Sequence, residues 1–318
     1  MSAYILKRIL LFFPTLLAIS VIVFVMIRVI PGDPALALVR DDGGSGSRGA
    51  YEELRQRLGL DLSYVEAYWL WISGAVQGDL GQSMRTNEAV SEQFRNRLPL
   101  TMEITLFSLV TAVGVGIPAG ILAAVRAGRL TDYAIRFPTV LFMAIPTFWL
   151  ALLVLIIPFQ LFGYYPPLNY LDFHIDPVSN LRSVLPAALI IGVSSSAVII
   201  RMTRTSLLEV LSEDYVRTAH AKGLRGRTVI TRHVMKNALI PTLEIIMGRL
   251  PALLGGVVLL ETVFALPGLG RATVDAVTWR DYTALQSLVV FNAGLVLVVN
   301  LLSDVLYAWL DPRVRYGQ

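Results

Sequence analysis

Six stretches of this chain are apolar over nearly the length needed to cross a bilayer, and no other feature constrains its fold as strongly. They run over about 9–30, 101–124, 137–162, 185–200, 239–260 and 285–310. A helix needs roughly 20 apolar residues to span the hydrocarbon layer. Charged residues make up 16% of the chain, against roughly a quarter in a soluble one. The expected fold class is an all-α integral membrane protein with six transmembrane helices. The fourth run is interrupted by Ser194-Ser195-Ser196. The first follows Lys7 and Arg8 as a signal peptide would. It is longer than a signal h-region and lacks a clean small-x-small cleavage site, so it reads as a retained span.

Basic residues orient the bundle. With the N-terminus in the cytoplasm, the inner segments carry fifteen Lys and Arg residues, and the two short outer loops carry Arg182, Arg271 and Arg280. An excess of Lys and Arg marks cytoplasmic loops, whereas a segment as long as 31–100 says little. Both termini are therefore expected in the cytoplasm, together with the loop 201–238. The chain divides into an N-terminal helix (1–30), an extracytoplasmic insertion (31–100) and a five-helix core (101–318). Cysteine is absent, which excludes disulfides and thiolate sites. The net charge of +4 sits in particular loops and does not argue for nucleic acid.

The segment from Ser212 to Gly223 is strongly charged and lies between apolar runs. Ser212 is the expected N-cap, Glu213 and Asp214 occupy the first turn, and Gly223 is the expected stop. A polar helix with its own start and stop signals suits docking on something in water. Membrane anchoring alone needs the charges, but not a capped helix followed by a second basic segment.

Arg217-Thr218-Ala219 followed by Gly223, running on to Asn237-Ala-Leu-Ile-Pro241, resembles the E-A-A-x-x-x-G coupling element of ABC-importer permeases. The variant is similar to that of the B-type permeases of the peptide and nickel branch. Pro31-Gly32-Asp33-Pro34, Gly78-Asp79-Leu80-Gly81, Glu261-Thr-Val-Phe264, Pro267-Gly-Leu-Gly270 and Leu310-Asp-Pro-Arg-Val-Arg315 carry the resemblance over nearly the whole chain. The spacing from Gly223 to Pro241 is longer than in the general importer motif.

The resemblance implies a type I ABC importer permease fold and a non-catalytic subunit of the bacterial cytoplasmic (inner) membrane. Such a subunit forms the route for peptides or similar small solutes. Its implied partners are a second, homologous permease, two ATP-binding cassette ATPase subunits, an extracytoplasmic solute-binding protein and membrane lipid, with no cofactor. Glu213, Asp214, Tyr215, Arg217, Thr218, Ala219, Lys222 and Gly223 are then the ATPase-coupling residues. Related permeases carry di- and oligopeptides, nickel, glutathione or opines, so the cargo stays open.

In the insertion, Tyr51–Leu58 and Thr86–Leu98 read as short amphipathic helices, Tyr64–Trp71 as an interfacial aromatic segment and Gln77–Arg85 as a loop. The insertion is a contact surface for a binding protein, a cap on the bundle, or both. Pro267-Gly268 is expected to turn the chain, and Arg271–Trp279 to form a short surface helix.

Proline and glycine recur within the spans, among them Pro14, Gly116, Pro118, Pro146 and Pro251, as suits a kinked, closely packed bundle. Arg249 lies near the middle of the fifth span, with Glu244 one to two turns below. An arginine there is costly and needs protein or water around it. By the resemblance both are candidates for the translocation pathway, with Arg249 meeting an anionic group of the cargo. A structural ion pair with Glu244 or with the partner permease is the other reading.

Catalytic signatures are missing. There is no G-x-x-x-x-G-K-[ST] and no H-E-x-x-H. Gly192-Val193-Ser194 lacks the following glycine of a serine nucleophile, and no histidine lies in a span to activate the serine. His174 lies near Asp172 and Asp176 but has no second His or Cys nearby. The alternative function is a secondary active transporter, against which the chain offers no clear internal repeat.

Overall fold

The structure is a computed structural model that describes residues 2–29, 35, 48–57, 59–165, 167 and 170–310. Pro31–Pro34, the segment 41–47 and all of the closing motif but Leu310 lie outside the described residues. In chain order the helices are α1 (Ser2–Val29), α2 (Arg48–Arg57), α3 (Tyr64–Val76), α4 (Val90–Val125), α5 (Leu130–Ala144), α6 (Thr147–Phe162), α7 (Pro177–Leu211), α8 (Asp214–Ala221), α9 (Met235–Val263), α10 (Leu269–Thr278) and α11 (Tyr282–Leu310). Before α9, Gly226–Thr228 forms a single helical turn and Val229–Val234 a π-helical one. Among the described residues there is no strand, only an isolated bridge between Gln82 and Ala89.

Five helices are long and apolar enough to cross a membrane, or six if α5 and α6 count as one span. That pair corrects the third apolar run, which is not one helix. It bends by 104° at a short break. Ile145 is extended at φ −87° and ψ 127°, the conformation that a following proline imposes. Pro146 then serves as the N-cap of α6.

The expected helix Thr86–Leu98 is also corrected. Thr86 and Asn87 lie in a turn, with Asn87 at φ 54°. Helix α4 starts at Val90 and runs without a break through 36 residues, about 54 Å at 1.5 Å per residue. The helix α2 begins at Arg48, ahead of the expected Tyr51, and Leu58 lies outside the described residues. The turn expected at Pro267-Gly268 falls two residues earlier. Ala265 takes φ 54°, and the Leu266 N–H donates to the Glu261 carbonyl at 2.8 Å, so α9 closes in a Schellman arrangement. Gly268 is extended and caps α10, the surface helix expected near Arg271–Trp279.

The chain divides into two compact units. One comprises Met1–Ser2, Thr101–Leu266 and Val299–Gln318, the other Ala3–Leu100 and Pro267–Val298. In the first, α7 is more enclosed than α4 or α9, with 61% of its most apolar stretch buried against 28% for each of them. That explains why it looked weakest in sequence: it faces protein, which tolerates serine better than lipid does. The Ser196 hydroxyl donates to the Val193 carbonyl at 2.7 Å. Ala112, Ile199 and Ile246 bring α4, α7 and α9 into one core. Close approach depends on Gly120 of α4, where a Cβ would stand 2.6 Å from the Thr203 Cβ and 2.9 Å from the Ile200 carbonyl. Small residues let membrane helices meet in this way.

The second unit is built around Ile27, Val90, Phe94, Leu269, Leu285 and Leu288. Tyr68 of α3 hydrogen-bonds Ser20 of α1 at 2.8 Å and meets Phe24 edge to face. The Trp71 indole N–H donates to Ser287 at 3.2 Å, and Ser287 donates to the Leu80 carbonyl at 2.9 Å.

Candidate functional site

The charged segment folds as the eight-residue helix α8. Ser212 is not its N-cap. It ends α7, and its hydroxyl donates to the Glu209 carbonyl at 2.7 Å. The extended residue that opens α8 is Glu213, whose side chain makes no cap hydrogen bond. The stop is as expected. Gly223 sits at φ +79°, the Gly223 N–H donates to the His220 carbonyl at 2.9 Å, and the Leu224 N–H donates to that of Ala219 at 3.3 Å. Those two bonds form a Schellman motif, which demands a left-handed residue at this position.

Two side chains seat the helix. Val216 is 1% exposed and Ala219 8%, and both join a core with Ala124, Leu207, Val229, Val234 and Ala238. Burying a valine contributes about 1.5–3 kcal/mol. Of the sequence-named residues, Ala219 therefore faces inward, while Glu213, Asp214, Tyr215, Arg217, Thr218, Lys222 and Gly223 are exposed. Arg217 donates to Asp214 and to the Ser212 carbonyl, each at 3.2 Å. The Tyr215 hydroxyl accepts from the Asn237 amide at 3.1 Å and donates to the His233 carbonyl at 3.4 Å.

Val216 and the Tyr215–Asn237 tie were missed from sequence. The i, i+3 spacing of Val216 and Ala219 carried the signal for the first. The tie spans a loop and left no local trace.

Further along α9, Arg249 lines an open cavity of about 340 Å³. The break between α5 and α6 shapes its wall through Ile145 and Thr147, and α7 contributes Ser194 and Ser195. Two serines of the triplet that weakened the fourth apolar run thus stand in the cavity wall, and the Ser194 hydroxyl is buried there without a partner among the described residues. Glu244 is exposed but does not line the cavity. Five residues put it about 140° around the helix from Arg249, and no ion pair joins the two among the described residues. The structure therefore does not bring the two pathway candidates together.

At the other end of α7, Asp176 is occupied as an N-cap. It accepts from the Val178 and Ser179 N–H groups at 3.1 Å each and from the Ser179 hydroxyl at 2.6 Å. The Ser179 hydrogen bonds hold its carboxyl below the usual carboxylate range. Among the described residues no group of three or more His, Asp or Glu side chains is placed to hold a metal.

Helices long and apolar enough to cross a membrane, a helix seated on them with its polar side outward, and a cavity holding Arg249 at the break between α5 and α6 are the features expected of a membrane transport component. The model of the family described as "Binding-protein-dependent transport system inner membrane component" matches residues 116–316. A second model, "Binding-prot-dependent transport system membrane comp, N-term", matches residues 1–105. The dipeptide transport system permease protein DppB of Alkalihalophilus pseudofirmus is 35% identical over 337 residues, covering 99% of this chain and 100% of the relative. The DppB of Escherichia coli is 36% identical, with 99% of both chains covered. The oligopeptide transport system permease protein AppB of Bacillus subtilis is 36% identical, covering 99% and 100%.

The fold is shared with a chain of the MetNI methionine ABC transporter, at a TM-score of 0.56 and 16% identity over 69% of this chain and 96% of that one. A chain of an amino acid ABC transporter gives a TM-score of 0.55 at 14% identity, covering 75% and 97%. The chain belongs to the family of binding-protein-dependent transport system inner membrane components. It is a multi-pass permease with the ABC-importer permease fold.

Proposed function

We propose that this chain forms the translocation pathway for short peptides in an ATP-driven importer, and that α8 receives the motion of an ATPase subunit. Full-length similarity to dipeptide and oligopeptide permeases supports the cargo class. The observation that carries the coupling role is the division of α8 into a buried pair, Val216 and Ala219, and an exposed polar surface. A helix anchored on one side and bare on the other transmits force to the helices behind it, here α4, α7 and α9.

The partners are a second, homologous permease, two ATPase subunits without which this chain has no energy source, and an extracytoplasmic solute-binding protein. Both termini and α8 face the cytoplasm, and the insertion faces outward. Arg249 meets the carboxylate of a peptide in the cavity beside Ser194 and Ser195.

Reconstitution of the whole complex in liposomes tests this reading. Dipeptide uptake should require both ATP and loaded binding protein. Uptake driven by an ion gradient without ATP would favour a secondary carrier instead.

A further inference from the structure

We propose that the unit formed by Ala3–Leu100 and Pro267–Val298 contains a binding site for the phosphate of an anionic phospholipid, placed at the end of α1. A cavity of about 550 Å³ opens there, walled by the rings of Phe24, Tyr64 and Trp71. Arg28, in the last turn of α1, lines it with its guanidinium 3.7 Å from the Phe24 ring centroid. Among the described residues no carboxylate pairs with Arg28.

Of the other charged groups of the wall, Arg55 is neutralised by Asp61 at 3.2 Å, while Asp79 keeps its negative charge and is held in its own turn, where it accepts from the Gly81 N–H at 2.9 Å. Gln286 also lines the cavity. It is 5% exposed, and its Nε2 has no partner among the described residues. The Tyr282 hydroxyl on the same wall is likewise buried and without a partner there. A buried donor left without an acceptor is costly. One cation and two such donors around one space call for a ligand that brings negative charge and several acceptor oxygens together, which is the chemistry of a phosphate.

The surroundings favour a lipid over a free anion. Arg28 closes the apolar span Lys7–Val29, which places its guanidinium at headgroup depth. Leu17, Val21 and Val25 lie along α1 at helical spacing from Arg28 and are exposed, at 53%, 42% and 50%. That ridge offers an acyl chain an apolar path leading to the cation. Tyr64 and Trp71 are the residue types that settle at the membrane–water boundary. Bound there, the lipid would fix α2 and α3 against the end of α1. With the N-terminus in the cytoplasm, as proposed above, this headgroup would belong to the outer leaflet; the site itself does not depend on that orientation.

The test is native mass spectrometry of the whole delipidated complex, titrated with phosphatidylglycerol, phosphatidylcholine or inorganic phosphate. The wild type should retain phosphatidylglycerol about tenfold more tightly than phosphatidylcholine, and millimolar inorganic phosphate should not displace it. Arg28→Met should abolish the preference and Arg28→Lys should keep most of it. Gln286→Glu, nearly isosteric, should abolish it by repulsion, and it decides the matter should Arg28→Met fail to assemble. An unchanged preference in Gln286→Glu or in assembled Arg28→Met, or no preference in the wild type, would overturn the proposal. Displacement by inorganic phosphate would also overturn it, in favour of a soluble anion. Transport is not read, so either result leaves the peptide-permease proposal standing.

Discussion

Arg204 grips Asp132 with two parallel hydrogen bonds of 2.8 Å, Nε to Oδ1 and Nη2 to Oδ2, and the Gly128 N–H donates to Oδ2 at 3.0 Å. Asp132 is 1% exposed, so its charge depends on this fork. The pair fixes the start of α5 to α7 close to where α8 is seated. Removing one member of a buried pair typically costs about 3–5 kcal/mol, whereas replacing both by apolar groups is often close to neutral. Arg204→Met should therefore lower the thermal midpoint of the purified complex sharply, and Arg204→Met with Asp132→Leu should recover much of the loss. A double variant as unstable as the single one would mean that the fork itself supplies the stability.

Arg249 behaves differently, since it has no partner in its own chain among the described residues. Arg249→Met should leave assembly intact and slow uptake of carboxylate-bearing peptides more than of their amidated analogues. Equal loss for both cargoes would point to a structural ion pair with the second permease. Arg249 was legible in sequence as a charge inside an apolar run. Its neighbours Ser194 and Ser195 were not, because they arrive from another helix.

At the scale of elements, the stop of α8 was legible, whereas its start at Glu213 and the bend between α5 and α6 were not. Gly223 announced the end of α8 because a left-handed stop has few substitutes. The break at Ile145 was hidden because the run is apolar on both sides of Pro146, and hydropathy carries no direction. Helix α4 was read as two pieces because its composition changes from amphipathic to apolar near Pro99, while the backbone continues through it.

The start of α3 carries a capping box. The Ser63 hydroxyl accepts from the Glu66 N–H at 3.4 Å, and the Ser63 N–H and hydroxyl donate to the Glu66 carboxylate at 3.2 and 2.8 Å. Those bonds, the hydroxyl's first, hold the Glu66 carboxyl below the ordinary carboxylate range. A depressed carboxyl stabilises the fold above its unfolded pKa and loses that contribution as the pH falls through its folded one. Hydrogen exchange in the first turn of α3 should accelerate as the pH drops below the ordinary carboxylate range, after correction for intrinsic exchange rates. The effect should vanish in Glu66→Gln. Identical pH profiles for the two proteins would remove this role from Glu66.

For the whole molecule, the proposed orientation and the proposed coupling are separate claims. Orientation rests on the basic-residue asymmetry. In this cysteine-free chain, single cysteines at Ser45 and Arg225 should react with an impermeant reagent from opposite sides of the membrane. Labelling of Arg225→Cys in intact cells would invert the arrangement.

Coupling rests on α8, and Gly223 gives the most direct access to it. A Cβ at Gly223 would meet nothing within 4 Å, so the effect of a side chain there is conformational rather than a clash within this chain. The left-handed backbone costs a residue with a Cβ roughly 1–2 kcal/mol, enough to unwind the stop while leaving every span and charge unchanged. The decisive measurement is ATP hydrolysis by the purified complex carrying Gly223→Val, stimulated by loaded binding protein, with subunit stoichiometry determined on the same sample. Normal membrane insertion with stimulation lost or sharply reduced, through failed ATPase docking or failed transfer of motion, is the predicted result. Wild-type stoichiometry together with wild-type stimulation would contradict the assignment of α8 as the coupling element.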